Sequence, residues 1–305
     1  MAVVLTNLSN GLYETSRHRL NVSAARFGID TIRSYDFEDI RSTDFYRDNR
    51  FILDQPTGMG FWLWKPYIIW TALNSVAEGD VVIYADSGLE IIAPLDPLLD
   101  LCRDGNPILL FGNGNFTNAQ WTKRDSFQLM DCDHPYYWNA PQCDAAFCIF
   151  QRSEASLRFV GEWLNFCRDP RIITDNPNSS GLTDLPDFIE HRHDQSILSL
   201  MAAKQRLSLF RMPSQFGNHY KIPALRHEGE FNCVNQYYQH PVNYYAVIPY
   251  SNSLYGQLLD HHRGQNGLTA APAKKKPLLQ MIGRAINKRY VRWRRVSALR
   301  KESPK

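Results

Sequence analysis

The segment Val81-Val82-Ile83-Tyr84, running into Ala85-Asp86-Ser87-Gly88, constrains this chain most. An uninterrupted apolar run of this length, entered through the turn-forming Glu78-Gly79-Asp80, reads as a buried strand. A strand that finishes on Asp-x-Gly delivers a carboxylate to the carboxyl edge of its sheet. In open α/β sheets that edge is where ligands bind.

The flanking pattern is consistent with such a sheet. Val3-Val4-Leu5 reads as a first strand, Ser16 to Phe27 as a helix with Leu20, Ala24 and Phe27 on one face, and Ile29 to Tyr35 as a second strand. Gly28 stops the helix. A β-α-β opening predicts parallel strands and an α/β fold. Further along, Pro66 to Val76 reads as a helix, Ile108 to Phe111 as a strand, and Gly112-Asn113-Gly114-Asn115 as a loop. Residues 91–101 read as a crossover and short helix, and Thr122 to Leu129 as a helix. Asp144 to Phe150 reads as a strand opening on its aspartate. Ser153 to Cys167 and Asp194 to Arg206 read as helices. Between the last two lies a Pro-, Asn- and Gly-rich loop, 169–188, of the kind that often carries function.

Length and charge narrow the classes. The chain has 305 residues, enough for one large α/β domain or two smaller ones. Its net charge of +3 is unevenly spread. Residues 274–305 hold twelve of the 34 Lys and Arg and one acid, Glu302, so the first 273 residues are net acidic. An acidic body argues against a general nucleic-acid binder. Six Cys without a C-x-x-C pair fit free thiols in a reducing compartment better than a zinc or disulfide framework. Met1 to Thr6 reads as part of the first strand, not as a signal peptide, and no apolar run reaches membrane-spanning length, so a cytoplasmic location is expected.

Several polar groups are candidates for chemistry. Asp86 is able to hold a divalent cation such as Mn²⁺ or Mg²⁺ beside a leaving diphosphate, and is also able to cap the turn at Gly88. Lys65, between Trp64 and Pro66 before a helix, suits a phosphate contact, and is also an ordinary solvated lysine with core tryptophans around it. In His191-Arg192-His193-Asp194-Gln195, Asp194 is placed to cap the following helix and to act as a base. His261-His262 is a possible imidazole metal pair, or a surface loop.

Three strings in order make the pattern more specific: Gly60-Phe61-Trp62-Leu63-Trp64-Lys65-Pro66, Gly79 through Gly88, and His191-Arg192-His193-Asp194-Gln195-Ser196-Ile197-Leu198-Ser199. Together they resemble bacterial and viral glycosyltransferases of the GT-A fold that act in capsule, lipopolysaccharide and other surface-polysaccharide synthesis. The resemblance implies a single GT-A-like domain over residues 1–270, with a mixed, mainly parallel central sheet flanked by helices. It implies transfer of a sugar from a nucleotide-diphosphate donor to a glycan or lipid-linked acceptor. Carried onto this sequence, it places Thr6, Lys65, Tyr84, Asp86 and Ser87 at the donor, and His191, His193 and Gln195 at the acceptor. Asp194 becomes the catalytic carboxylate, with Asp144 as a second candidate. A divalent cation (Mn or Mg) would be held by Asp86 with His261 or His262. Gly88 stands where the family has the second acid of Asp-x-Asp, so either Asp86 holds the cation with more water, or basic residues replace it. A non-catalytic carbohydrate or nucleotide-sugar-binding module on the same fold is the alternative, and a nucleotidyltransferase a third.

The remaining segment, 271–305, reads as a basic amphipathic tail. Leu278, Ile282, Ile286, Tyr290, Trp293 and Val296 recur at spacings of three and four among Lys and Arg. Such a helix suits an anionic membrane surface, which fits a lipid-linked acceptor and peripheral attachment at the inner face. Docking on the acidic body and nucleic-acid contact are its other readings, and no nucleic acid is expected.

Overall fold

A computed structural model describes residues 1–29, 31–217 and 250–262. These lie in one compact unit, Met1–Arg263. The expected basic helix within 271–305 falls outside the described residues.

The strands are β1 (Val3–Leu8), β2 (Thr31–Tyr35), β3 (Val81–Ala85), β4 (Leu89–Ile91), β5 (Ile108–Thr117), β6 (Pro141–Gln151), β7 (Phe210–Arg211) and β8 (Leu259–His261). Six of them form one sheet in the order β2-β1-β3-β6-β5-β7, and β4 pairs with β8 separately. β1 runs parallel to β2 and β3, β5 runs parallel to β7, and β6 is antiparallel to both of its neighbours. Five strands therefore share one direction and β6 alone opposes them. The sheet is mixed and mainly parallel, as expected.

Burial follows position. All five residues of β3 are buried, as an apolar run at the centre of a helix-covered sheet requires. β2, with Thr31, Arg33 and Ser34, is largely open and forms an edge. The long helices are α1 (Glu14–Arg26), α2 (Trp64–Asn74), α3 (Asp96–Arg103), α4 (Glu154–Cys167) and α5 (Asp194–Lys204). α2, α4 and α5 pack one apolar layer with Val82, Tyr84, Leu110, Cys148 and Phe150. α1 and α3 pack the other with Leu5, Ile83, Leu109, Phe111 and Ile149. α4 starts where its Ser153 hydroxyl accepts the Ser156 N–H, an N-cap that satisfies a donor the helix leaves open.

Two expectations are corrected, and one short strand is added to the reading. Gly112 to Asn115 lies inside β5, not in a loop, and register shifts after Leu110 and Gly112 are how the strand accommodates these residues. β6 begins at Pro141, so Asp144 sits in the strand's interior instead of opening it. The chain after Asp86 turns directly into β4, held by β8 from the far end of the unit.

Candidate functional site

Because β1 and β3 are parallel, Leu8 and Ala85 end at the same carboxyl edge. Ser87 ties them together there, its hydroxyl donating to the Leu8 carbonyl at 3.0 Å. The antiparallel β6 brings its first half to that edge, and the Asp86 N–H donates to the Ala146 carbonyl at 2.8 Å. The amino ends of α2 and α5 also arrive there, carrying Lys65 and Asp194.

Lys65 joins these elements. Its Nζ is 3.0 Å from Asp194 Oδ2, 3.6 Å from Asp86 Oδ1 and 3.1 Å from the Ala145 carbonyl, and it lies over the Tyr84 ring at 5.2 Å. The Tyr84 hydroxyl in turn donates to Asp86 Oδ1. A lysine in the first turn of a helix meets the positive end of the dipole, and burial adds to that cost. Lys65 is charged there because two carboxylates offset both effects: burial lowers its pKa, but Asp194 and Asp86 raise it by more. Asp194 enjoys the favourable end of its own helix. Burial nonetheless outweighs the ammonium beside it and pushes its pKa up to about 6. The side chains of Lys65 and Asp194 are both 4% exposed, against 35% for Asp86. Asp86 is thus the accessible member, with a buried ion pair beneath it. Trp163, placed in the core by its spacing, also serves the site: its indole N–H donates to the Asp194 carbonyl at 3.0 Å.

The backbone around this pair is strained on both sides. Gly58, Met59, Gly60, Phe61 and Trp62 all have φ between 53° and 90°, a left-handed turn in which three residues carry side chains. Each such residue costs about 1–2 kcal/mol. Close packing fixes the two glycines: a Cβ on Gly58 would lie 2.4 Å from the Trp62 ring, and one on Gly60 2.6 Å from Leu53 Cα. The turn sets Phe61 and Trp62 against the His193 imidazole, at centroid distances of 4.9 and 5.6 Å. His193 itself has φ 52° and ψ −119°, immediately before Asp194. Strain of this kind persists only where surrounding structure over-determines it.

The remaining sequence candidates fall into two groups. His191 and His193 are buried, with their rings turned to the segment around Ile172 and Ile173. His191 accepts the Lys123 N–H at Nδ1 and so donates from Nε2 to the Ile172 carbonyl at 2.8 Å. His193 donates from Nδ1 to the Ile173 carbonyl at 2.9 Å. Both rings satisfy carbonyls at the end of the short helix Pro170–Ile173, and burial lowers both pKa values. Thr6 is likewise buried within β1, its hydroxyl donating to the Arg33 carbonyl at 3.3 Å. Closer to the edge is Ser9, a buried residue whose hydroxyl has no hydrogen-bond partner among the described residues.

His261 does reach the site. Its backbone is clasped by the Gln215 amide, which donates to His261 O at 2.9 Å and accepts from His261 N at 3.0 Å. The His262 N–H donates to the Gly88 carbonyl at 3.0 Å. Burial lowers the pKa of His261 while Asp144 and Asp86 act to raise it, and its Nε2 has no described partner. His262 instead has Arg19 and Glu90 among its charged neighbours. Among the described residues no group of three His, Cys, Asp or Glu side chains gathers as a metal site would require. Asp86 Oδ1 is already engaged by Tyr84 and faces the Lys65 ammonium, and Gly88 offers no second carboxylate. Among the described residues the donor set does not fit a protein-chelated cation.

No protein-family model and no curated protein sequence matches the chain. Solved structures do resemble it. Mouse xyloside xylosyltransferase 1 aligns at a TM-score of 0.44 and 8% identity, over 86% of this chain and 97% of that one. The bifunctional glycosyltransferase WbbM aligns at 0.46 and 12%, over 87% and 46%, so this chain spans less than half of it. The galactosyltransferase LgtC, solved with donor and acceptor sugar analogues, aligns at 0.36 and 13%, over 86% and 87%.

Proposed function

We propose that the chain transfers a sugar from a nucleotide-diphosphate donor to a glycan or lipid-linked acceptor in surface-polysaccharide synthesis. One observation supports this above the others: the three sequence strings that resemble glycosyltransferases meet at one sheet edge, where Lys65 bridges Asp86 and Asp194. In this reading the donor lies over the carboxyl edge of β1 and β3, against Asp86, Ser87 and Ser9. Lys65 acts from beneath, fixing the charge and position of Asp86 and Asp194.

The reaction breaks the bond between the anomeric carbon and the donor's phosphate oxygen. The acceptor hydroxyl oxygen forms the new bond and gives up its proton. Asp144 and Asp194 are the two carboxylates proposed to receive it. Asp144 is half-buried beside His261, and Asp194 has its pKa near neutrality, where a base works best. The basic segment 274–305 would hold the enzyme at an anionic membrane, near a lipid-linked acceptor.

Thermal-shift measurements with UDP-glucose, UDP-galactose and GDP-mannose, each with and without Mn²⁺, test donor binding. At least one donor should raise the Tm of the wild type and have a smaller effect on Asp86→Ala. No shift with any of them contradicts the reading. For the tail, co-sedimentation with phosphatidylglycerol vesicles should be lost on deleting residues 274–305, and equal binding by both forms contradicts that part.

A further inference from the structure

Beside Asp194 runs a chain of buried amides whose polarity can be deduced atom by atom. It starts at a backbone carbonyl, which only accepts. The group facing Tyr137 O at 3.0 Å must therefore be the Asn118 amide nitrogen. Asn118 then turns its oxygen to Gln142, whose Nε2 donates to it at 2.8 Å and also approaches Thr122 Oγ1 at 3.3 Å. That leaves Gln142 Oε1 to accept from Gln195 Nε2 at 3.2 Å. Each assignment forces the next, so the orientation of the Gln195 amide does not rest on choosing between O and N at one residue. Asn118 and Gln142 are fully buried and Gln195 is half-buried. With its nitrogen committed inward, Gln195 keeps a carbonyl oxygen that accepts from no described group, on the residue that follows Asp194 at the start of α5.

We infer that Gln142 is a positioning residue that holds Gln195 as a hydrogen-bond acceptor, so that the site selects a ligand hydroxyl or N–H beside Asp194. This rests on the proposed transfer site. Turning the Gln195 amide over would set its oxygen against Gln142 Oε1, and the chain back to Tyr137 O allows Gln142 no compensating turn. Uncharged glutamine in a strand gives no sequence signal, and Gln142 becomes visible only through the network.

The test uses the full-length chain and nucleotide release from UDP-glucose, UDP-galactose and GDP-mannose. Gln142→Leu breaks the chain. Gln142→Glu preserves the link to Gln195, because either ionisation state accepts from the Gln195 amide, while only the protonated form donates to Asn118. Gln142→Leu should lower kcat/KM about tenfold in the wild-type background and less than about twofold in the Gln195→Ala background. Gln142→Glu should stay within about threefold of wild type while lowering Tm at least as much as Gln142→Leu, because it buries an acid. A merely structural residue would make activity follow Tm, and equal losses in both backgrounds, or Gln142→Glu as inactive as Gln142→Leu, overturns the inference. If even the wild type releases no nucleotide from any donor, the transfer reading fails. The relay is then judged by NMR of ¹⁵N-glutamine-labelled protein. The Gln195 side-chain amide should exchange slowly in wild type and Gln142→Glu and rapidly in Gln142→Leu, and equal exchange in all three overturns it.

Discussion

The ammonium of Lys65 stands 3.0 Å from the carboxylate of Asp194, and neither side chain is more than 4% exposed. Breaking such a pair from one side strands a buried charge, typically at a cost of about 3–5 kcal/mol. Lys65→Met should therefore destabilise the protein by about that amount. The double variant Lys65→Met/Asp194→Asn should cost clearly less than the sum of the singles, because it strands no charge. Urea denaturation of the four proteins measures this coupling. Additive losses would mean that the two groups do not interact as their distance requires.

Acid stability follows from two opposing sets of groups. Asp194 has a folded pKa of about 6, above its unfolded value near 4. Between those values the folded state holds more protons, so its contribution to stability falls as pH rises through the window. His191, His193, His261 and His262 have lowered pKa values through burial. Their contribution is complete above about pH 6.5 and is lost as pH falls through their folded values. Asp194→Asn removes only the first effect. Its stability should fall more steeply than that of the wild type between about pH 6 and 4. Parallel curves for the two proteins would contradict the burial of an ionisable Asp194.

Glycines provide a contrast. Gly58→Ala and Gly60→Ala each place a methyl against atoms nearer than 2.7 Å, at φ 56° and 90°. Each should destabilise by about 2 kcal/mol or more through strain and displacement of Trp62 or Leu53. Gly161 lies inside α4, and a Cβ there would meet Trp70 Nε1 at 3.6 Å, an ordinary contact. Gly161→Ala should stabilise by about 0.5–1 kcal/mol. Thermal unfolding of the three variants checks the sign at each position.

How much of this was legible depended on how each residue departs from its default behaviour. β3, α4 and α5 follow apolar runs and helical periods, so the sheet edge carrying Asp86 could be read directly. The left-handed turn could not, because Met59, Phe61 and Trp62 adopt positive φ against their own preference. Its only trace is the pair Gly58 and Gly60. Lys65 stood out as a cation before a helix, but its burial depends on Asp86 and Asp194, which only the fold brings to it. The His191–His193 cluster drew attention as polar side chains at a helix start. Its rings are used on the carbonyls of Ile172 and Ile173, a demand set by the end of the short helix Pro170–Ile173 and invisible in local sequence.

Nucleotide release from UDP-glucose, UDP-galactose and GDP-mannose by wild type, Asp86→Asn, Asp144→Asn and Asp194→Asn tests the central claim most directly. Wild type should turn over at least one donor. Asp86→Asn and Asp194→Asn should each fall by about a hundredfold or more, equivalent to about 2.7 kcal/mol of transition-state stabilisation, with the fold intact by circular dichroism. Binding without turnover by the wild type would favour a non-catalytic nucleotide-sugar module. Wild-type rates in both Asp86→Asn and Asp194→Asn would contradict the assignment of the Lys65-centred cluster as the reactive site.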